Sequence, residues 1–254
     1  MLEDWQALIL GIVQGITEPI PISSSGHLVI IPWLFDWPSV GGDDSFSKTF
    51  DVALHLGTLF GVVAYFWRDL GRIIASAFRG MARRRFETYE DRLPWYIALS
   101  TVPAVIVGFL LTDLLEGPLS TPALIGVELI LFGILLWYAD TYLARNRLLE
   151  NLVARDAGFI GLAQALALMP GVSRSGITMT AAMARGFNRE SAARFSFLMS
   201  VPVVLGAVLL KTYETFLQGD GLPPGSTDTF AIGIISSTIT GYVAIWFLLR
   251  YVRN

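Results

Sequence analysis

Apolar residues along this chain run in long blocks rather than alternating or forming short amphipathic stripes. A helix needs about 20 mostly apolar residues to cross the hydrocarbon core of a bilayer. Five blocks qualify, at roughly 50–67, 93–111, 122–140, 195–212 and 229–250. Two further apolar segments, 5–35 and 157–184, are each interrupted near the middle by Pro, Gly and Ser. The interruptions read Pro19-Ile20-Pro21-Ile22-Ser23-Ser24-Ser25-Gly26 and Pro170-Gly171-Val172-Ser173-Arg174-Ser175-Gly176. Each half is about 12–15 residues, a length suited to re-entrant half-helices rather than spans. The pattern predicts an all-α, polytopic membrane protein with about five to six full spans and two re-entrant helix–loop–helix segments. It forms a single integral membrane domain over 1–254.

Composition agrees. Of 254 residues, 54% are hydrophobic and 15% charged, against about 25% charged in soluble domains, and the mean hydropathy is +0.58. No cysteine is present, which excludes disulfides and thiolate metal sites. The acidic start, Met1-Leu2-Glu3-Asp4, does not resemble a cleavable signal. A net charge of −3 says little about partners, and no nucleic-acid partner is expected.

The placement of charge is more informative, because Lys and Arg concentrate on the cytoplasmic side. Arg68, Arg72, Arg79, Arg83, Arg84, Arg85 and Arg92 lie in one connection, and Arg145, Arg147 and Arg155 in another. Arg185, Arg189 and Arg194 follow, then Arg250 and Arg253. With five spans and two re-entrant segments, these 15 of the 18 basic residues share one side. Lys48 and Lys211 fall opposite, with Asp36, Asp43, Asp44, Asp113, Glu116, Glu214, Asp220 and Asp228. Treating 5–35 as a full span scrambles this pattern. The N-terminus is therefore expected outside and the C-terminus inside. The Arg83-Arg84-Arg85 run reads as a topology determinant that also attracts anionic lipid.

The broken segments match each other at an offset of 150: Gly11, Gln14, Ser23, Ser25 and Gly26 align with Gly161, Gln164, Ser173, Ser175 and Gly176. The following spans match at an offset of 145, through Phe50 with Phe195 and Gly61 with Gly206. Because one segment enters from outside and the other from inside, this is an inverted-topology repeat. Repeat one covers about 5–111 and repeat two about 157–250, with a connecting span at 122–140. Such proteins place their sites near the midplane, at broken helices.

The candidate site follows. Gln14 and Glu18, four apart, share a helical face. Pro19 and Pro21 end that helix, and Ser23, Ser24 and Ser25 cap the next, where free N–H groups attract anions. His27 lies within reach of Ser24. In the second loop Ser173 and Ser175 repeat the cap, Arg174 offers a fork for phosphate oxygens, and Thr178 shares its face. A charge at mid-bilayer costs about 2.5–3.5 kcal/mol on insertion scales, so Glu18 and Arg174 there point to function. The plainer alternative is an ion pair tying the repeats together. His55 reads as packed within its span, with contact to the cavity as the alternative, and Glu128 as a packing hydrogen bond or a snorkelling group. Two helix N-termini, an arginine and several hydroxyls suit a phosphate or pyrophosphate. A hydroxyl, histidine and carboxylate form a phosphoryl-transfer set.

These residues carry a resemblance. Gln14 through His27, with Pro170 through Thr178, resembles the undecaprenyl-diphosphate phosphatases, or bacitracin-resistance proteins, over nearly the whole chain. That family's first motif often begins with Glu where this chain has Gln14, which can hydrogen-bond but cannot act as a base. The resemblance implies hydrolysis of undecaprenyl diphosphate to undecaprenyl phosphate and inorganic phosphate, recycling the carrier for peptidoglycan. It also implies bacitracin resistance, residence in the bacterial inner membrane and a site open to the periplasm. On this reading Ser24 attacks phosphorus and His27 accepts its proton or is itself the nucleophile. Glu18 orients His27 or binds a divalent ion. Ser23, Ser25, Ser173, Arg174, Ser175 and Thr178 hold the phosphates. A Mg²⁺ or Ca²⁺ ion is expected to arrive with the diphosphate, with no organic cofactor. The partners are the lipid diphosphate and membrane lipid, and a homodimer stays open. The competing reading is a carrier that flips prenyl phosphates, since inverted repeats also build transporters.

Overall fold

The computed structural model describes residues 2–37, 45–84, 86–116, 121–219 and 221–253; the side chains of 45 and 111–116 are not described. Arg85, Asp43, Asp44 and Asp220, with the side chains of Asp113 and Glu116, therefore lie outside the described residues. Nine α-helices form among those residues: α1 Asp4–Thr17, α2 Ser24–Leu34, α3 Ser45–Arg83, α4 Tyr89–Glu116, α5 Pro122–Tyr142, α6 Ala154–Leu166, α7 Arg174–Ala184, α8 Arg189–Tyr213 and α9 Thr227–Arg253. The only extended pairing among them is an isolated bridge between Arg147 and Phe187.

Five helices are long and apolar enough to cross a membrane: Phe46–Arg83, Tyr89–Leu110, Pro122–Tyr142, Arg189–Gln218 and Thr227–Arg253. They coincide with the five blocks read from the sequence. The chain is a multi-pass helical membrane protein. Its surface fits that environment: on α5, Val127, Ile130, Ile134 and Trp137 are exposed, and a water-soluble monomer rarely carries so continuous an apolar face. One boundary differs from expectation. The sequence pattern makes the basic stretch after residue 67 a connection, yet α3 continues through it to Arg83, bending at Phe66 (φ −97°, ψ 16°). The extension is held because Leu70 and Ile73 pack on the main core and Arg72 pairs with Asp69 at 3.0 Å.

The order of elements repeats. A short helix, a break, a second short helix and two long helices occur as α1–α4 and again as α6–α9, joined by α5. The two sets exchange partners: α1 packs along α9, and α6 packs along α4. Both contacts need a helix without a side chain. A Cβ on Gly11 would lie 2.7 Å from the Gly233 carbonyl oxygen, and one on Gly161 would lie 2.7 Å from the Ser100 Cα. Small residues at such positions let backbones approach closely, which is why Gly11 and Gly161 recur at the same offset. The main core gathers Phe66, Ile97, Ile160, Met179, Phe195 and Met199. A second cluster of Leu10, Leu28, Phe50, Leu54 and Phe230 contains Phe50 edge-on to Phe230 at 5.3 Å.

Candidate functional site

Both breaks become capped helix starts. Ser23 precedes α2 and its Oγ accepts from the Gly26 N–H at 3.3 Å; Ser173 precedes α7 and accepts from Gly176 N–H at 3.1 Å. Each satisfies an otherwise orphaned donor of a first helical turn. The caps differ in backbone: Ser23 sits at φ +64°, a left-handed conformation that costs a non-glycine residue about 1–3 kcal/mol, whereas Ser173 sits at φ −59°.

The two loops cross. Ser23 Oγ donates to the Pro170 carbonyl at 3.1 Å, Ser25 Oγ donates to the same oxygen, and Ser175 Oγ reaches the Ile20 carbonyl at 3.5 Å. Ile20 and Pro170 are themselves equivalent positions of the repeat, so each loop binds the other through matching atoms. The connecting helix adds a clamp: Glu128 Oε2 accepts from the Gly171 N–H at 2.9 Å. Only glycine fits there, since a Cβ at 171 would lie 2.3 Å from that carboxylate oxygen. Glu128 is thus a packing hydrogen bond, one of the two readings the sequence allowed.

At the crossing stands Glu18, with its side chain 9% exposed. Arg174 Nη2 donates to Oε1. Ser24 Oγ donates to Oε2 at 2.5 Å, and Gln14 Nε2 reaches the same oxygen at 3.2 Å. Ser24 and Arg174 occupy equivalent positions, each the first residue of its helix. The repeat therefore delivers a hydroxyl from one half and a guanidinium from the other onto a single carboxylate. The second half has Leu168 where the first has Glu18, so one centre results.

Three expectations are changed by the geometry. His27 does not meet Ser24 among the described contacts; its Nδ1 bonds the Ser23 carbonyl at 2.7 Å, one turn back along its own helix. Glu18 faces His55 rather than His27: His55 Nε2 lies 3.5 Å from Oε2, while its Nδ1 bonds the Asp51 carbonyl at 2.8 Å. A carbonyl only accepts, so Nδ1 of each ring carries the hydrogen. Thr178 is not presented to the crossing. It is fully buried, and its hydroxyl bonds Ser196 and the Arg174 carbonyl, each at 2.7 Å, fastening α7 to α8. His55 joins the crossing although it stands in neither loop motif. Its signal was an ionisable side chain inside an apolar span, between Leu54 and Leu56.

Among the described residues no group of three or more acidic or histidine side chains gathers. Both Glu18 oxygens already hold donors. Among the described residues, Glu18 is therefore placed to add at most a single ligand to an ion already held by phosphates.

The fold and this centre define a polytopic helical membrane protein with a buried carboxylate–guanidinium–hydroxyl cluster where two broken helices cross. Over residues 7–254 the sequence matches the family described as bacitracin resistance protein BacA, and the chain belongs to that family. It is 47% identical to a protein of Thermomicrobium roseum over 98% of this chain and 90% of that one, and 49% identical to one of Pelobacter propionicus over 98% and 88%. A protein of Geotalea daltonii is 48% identical over 98% and 90%. All three are named undecaprenyl-diphosphatase.

Proposed function

We propose that the loop crossing is the centre at which this protein hydrolyses undecaprenyl diphosphate to undecaprenyl phosphate and inorganic phosphate. The observation that carries the reading is Glu18, gripped on one oxygen by Arg174 and on the other by the Ser24 hydroxyl. The incoming diphosphate competes with Glu18 for Arg174, whose planar fork matches phosphate oxygens. The N–H groups opening α2 and α7 add positive potential. Ser24 Oγ, already sharing its hydrogen with Glu18, attacks the terminal phosphorus as that proton passes to the carboxylate. The bridging P–O bond breaks and undecaprenyl phosphate leaves. Water then cleaves the phosphoserine, returning the proton to Ser24 and releasing phosphate. Fixed charge in a site shielded from water supplies most of such a rate enhancement.

A second reading of the nucleophile rests on one observation. With Nδ1–H committed to the Ser23 carbonyl, neutral His27 carries its lone pair on Nε2, free for attack or proton transfer. Mapping of a trapped phospho-enzyme by mass spectrometry separates the two: phosphate is expected on Ser24, and phosphate on His27 would reject that assignment.

Phosphate release from the lipid diphosphate in detergent, where nothing can be transported, separates hydrolysis from carriage. Release is expected from the wild type and not from Arg174→Ala. Binding without release from folded protein would favour a carrier. A divalent cation enters this proposal only as a companion of the diphosphate, with Glu18 offering it a ligand.

The basic distribution and the repeated elements support an inverted arrangement in the bacterial inner membrane, with the N-terminus outside and the C-terminus cytoplasmic. The cysteine-free sequence makes the test clean. A membrane-impermeant maleimide applied from outside is expected to label Pro224→Cys and to miss Arg84→Cys; the reverse result overturns the orientation.

A further inference from the structure

Beside the loop crossing lies a groove of about 640 Å³, within the ~300–1,000 Å³ usual for small-molecule sites. Four helices build it, each with one face. From α5 come Gly133, Leu136, Trp137 and Asp140, spaced as one helical stripe. Met179 and Met183 of α7, Ala192 of α8 and Leu248 of α9 complete the apolar wall. The near end is Pro21, within the first loop between Glu18 and the serine cap. The far end is charged, where Asp140 takes Arg189 at 2.5 and 2.6 Å and Arg145 at 2.6 Å.

The groove adjoins the proposed centre through Pro21 and along α7. Ser175, Met179 and Met183 lie four apart on α7 and form one ridge. Ser175 touches the loop crossing through the Ile20 carbonyl, and the two methionines wall the groove. The ridge runs about 12 Å from the crossing at 1.5 Å per residue. The helix whose first residue is Arg174 thus also leads away from it as an apolar track.

We propose that this groove receives the proximal isoprene units of the substrate's prenyl tail, so that recognition of the lipid begins next to its phosphates. The proposal rests on the phosphatase reading above. The occupant is a linear chain of isoprene units, because the walls are mostly apolar and the polar side chains among them, Asp140 with Arg189 and Tyr251, gather at the far end. Methionine adapts its shape to such a chain. The remainder of the long tail continues into the bilayer.

Gly133 provides the test, since a Cβ there meets nothing within 4 Å. Gly133→Leu adds bulk to the groove without displacing backbone and raises helix propensity. Its KM for undecaprenyl diphosphate in detergent is expected to rise about tenfold, as befits loss of roughly two buried methylene groups, with kcat little changed. Gly206→Leu also enters open space, outside the groove, and is expected to keep the wild-type KM. An unchanged KM in Gly133→Leu overturns the proposal. A second measurement uses wild-type protein and a farnesyl diphosphate bearing a diazirine on its tail. Label is expected on the Met179–Met183 stretch and on Leu136, and to be lost in Gly133→Leu. Label confined to outward-facing positions such as Ile130 or Phe109 means that bulk lipid fills the groove, and this too overturns the proposal. Labelling of the groove by a protein that releases no phosphate leaves the tail site standing and sinks the phosphatase reading instead.

Discussion

Glu18 and Arg174 each hold the other's charge in a place where water cannot. Their side chains are 9% and 19% exposed, and removing one member of a buried pair costs about 3–5 kcal/mol because the survivor is left uncompensated. Arg174→Met is therefore expected to lower thermal stability in detergent, and adding Glu18→Gln to recover part of the loss. Losses that simply add would show that the pair contributes nothing as a pair. Neither variant is expected to turn over substrate. His55 belongs to the same scale: it approaches Glu18 on the side of Ser24, so with Gln14 and Arg174 four groups from four helices meet one carboxylate. No local pattern announces that meeting, because His55 lies 37 residues beyond Glu18 in the chain.

Individual helices are defined by what they cannot bear. Gly161 brings α6 against the α4 backbone, with a would-be Cβ 2.7 Å from Ser100. Gly161→Ala is expected to destabilise the protein by about 1–3 kcal/mol through overpacking. Gly158, three residues earlier on the same helix, faces open space, and Gly158→Ala is expected to be stabilising by up to about 1 kcal/mol from helix propensity. Thermal unfolding of the two variants side by side decides this; equal effects would deny that α6 and α4 are in backbone contact. The positions of Gly11 and Gly161 were legible as a repeat, but the contacts that require them, with α9 and with α4, were not. Those partners come from the opposite half of the chain, and apolar periodicity carries no information about which half a helix will pack on.

At the scale of the whole molecule, the second half of the chain is tied together at the ends of its helices. One anchor lies at the start of α6. Asp156 is wholly buried; Arg147 reaches it at 2.5 Å and Arg185 at 2.7 Å, and Arg147 also lies over the Phe187 ring at 4.3 Å. Burial pushes the Asp156 carboxyl upward, but hydrogen bonds and charge from Arg147 and Arg185 outweigh it and hold the group below the usual carboxylate range. A lowered folded-state value means that the anchor contributes fully above the unfolded value of about 3.9 and is lost as pH falls through the folded one. The stability gap between wild type and Asp156→Asn is accordingly expected to hold constant from neutral pH to about 5 and to close below about 4. A gap that widens on acidification would contradict the assignment.

The sequence by itself determined the class of the protein: apolar blocks of bilayer length must be helices that span, and blocks broken by Pro, Gly and Ser cannot be ordinary spans. It also determined the motif residues, because serine caps, a lone arginine and a lone glutamate stand out in an apolar background. Only the tertiary structure decided who touches whom. Glu18 meets Ser24, Arg174 and His55, while His27 turns back on its own helix and Thr178 anchors α7 to α8. Those outcomes depend on the rotation of each helix about its axis and on the crossing of two loops 150 residues apart. Both are fixed by close packing against distant segments, a long-range effect that the local pattern of a single chain does not encode.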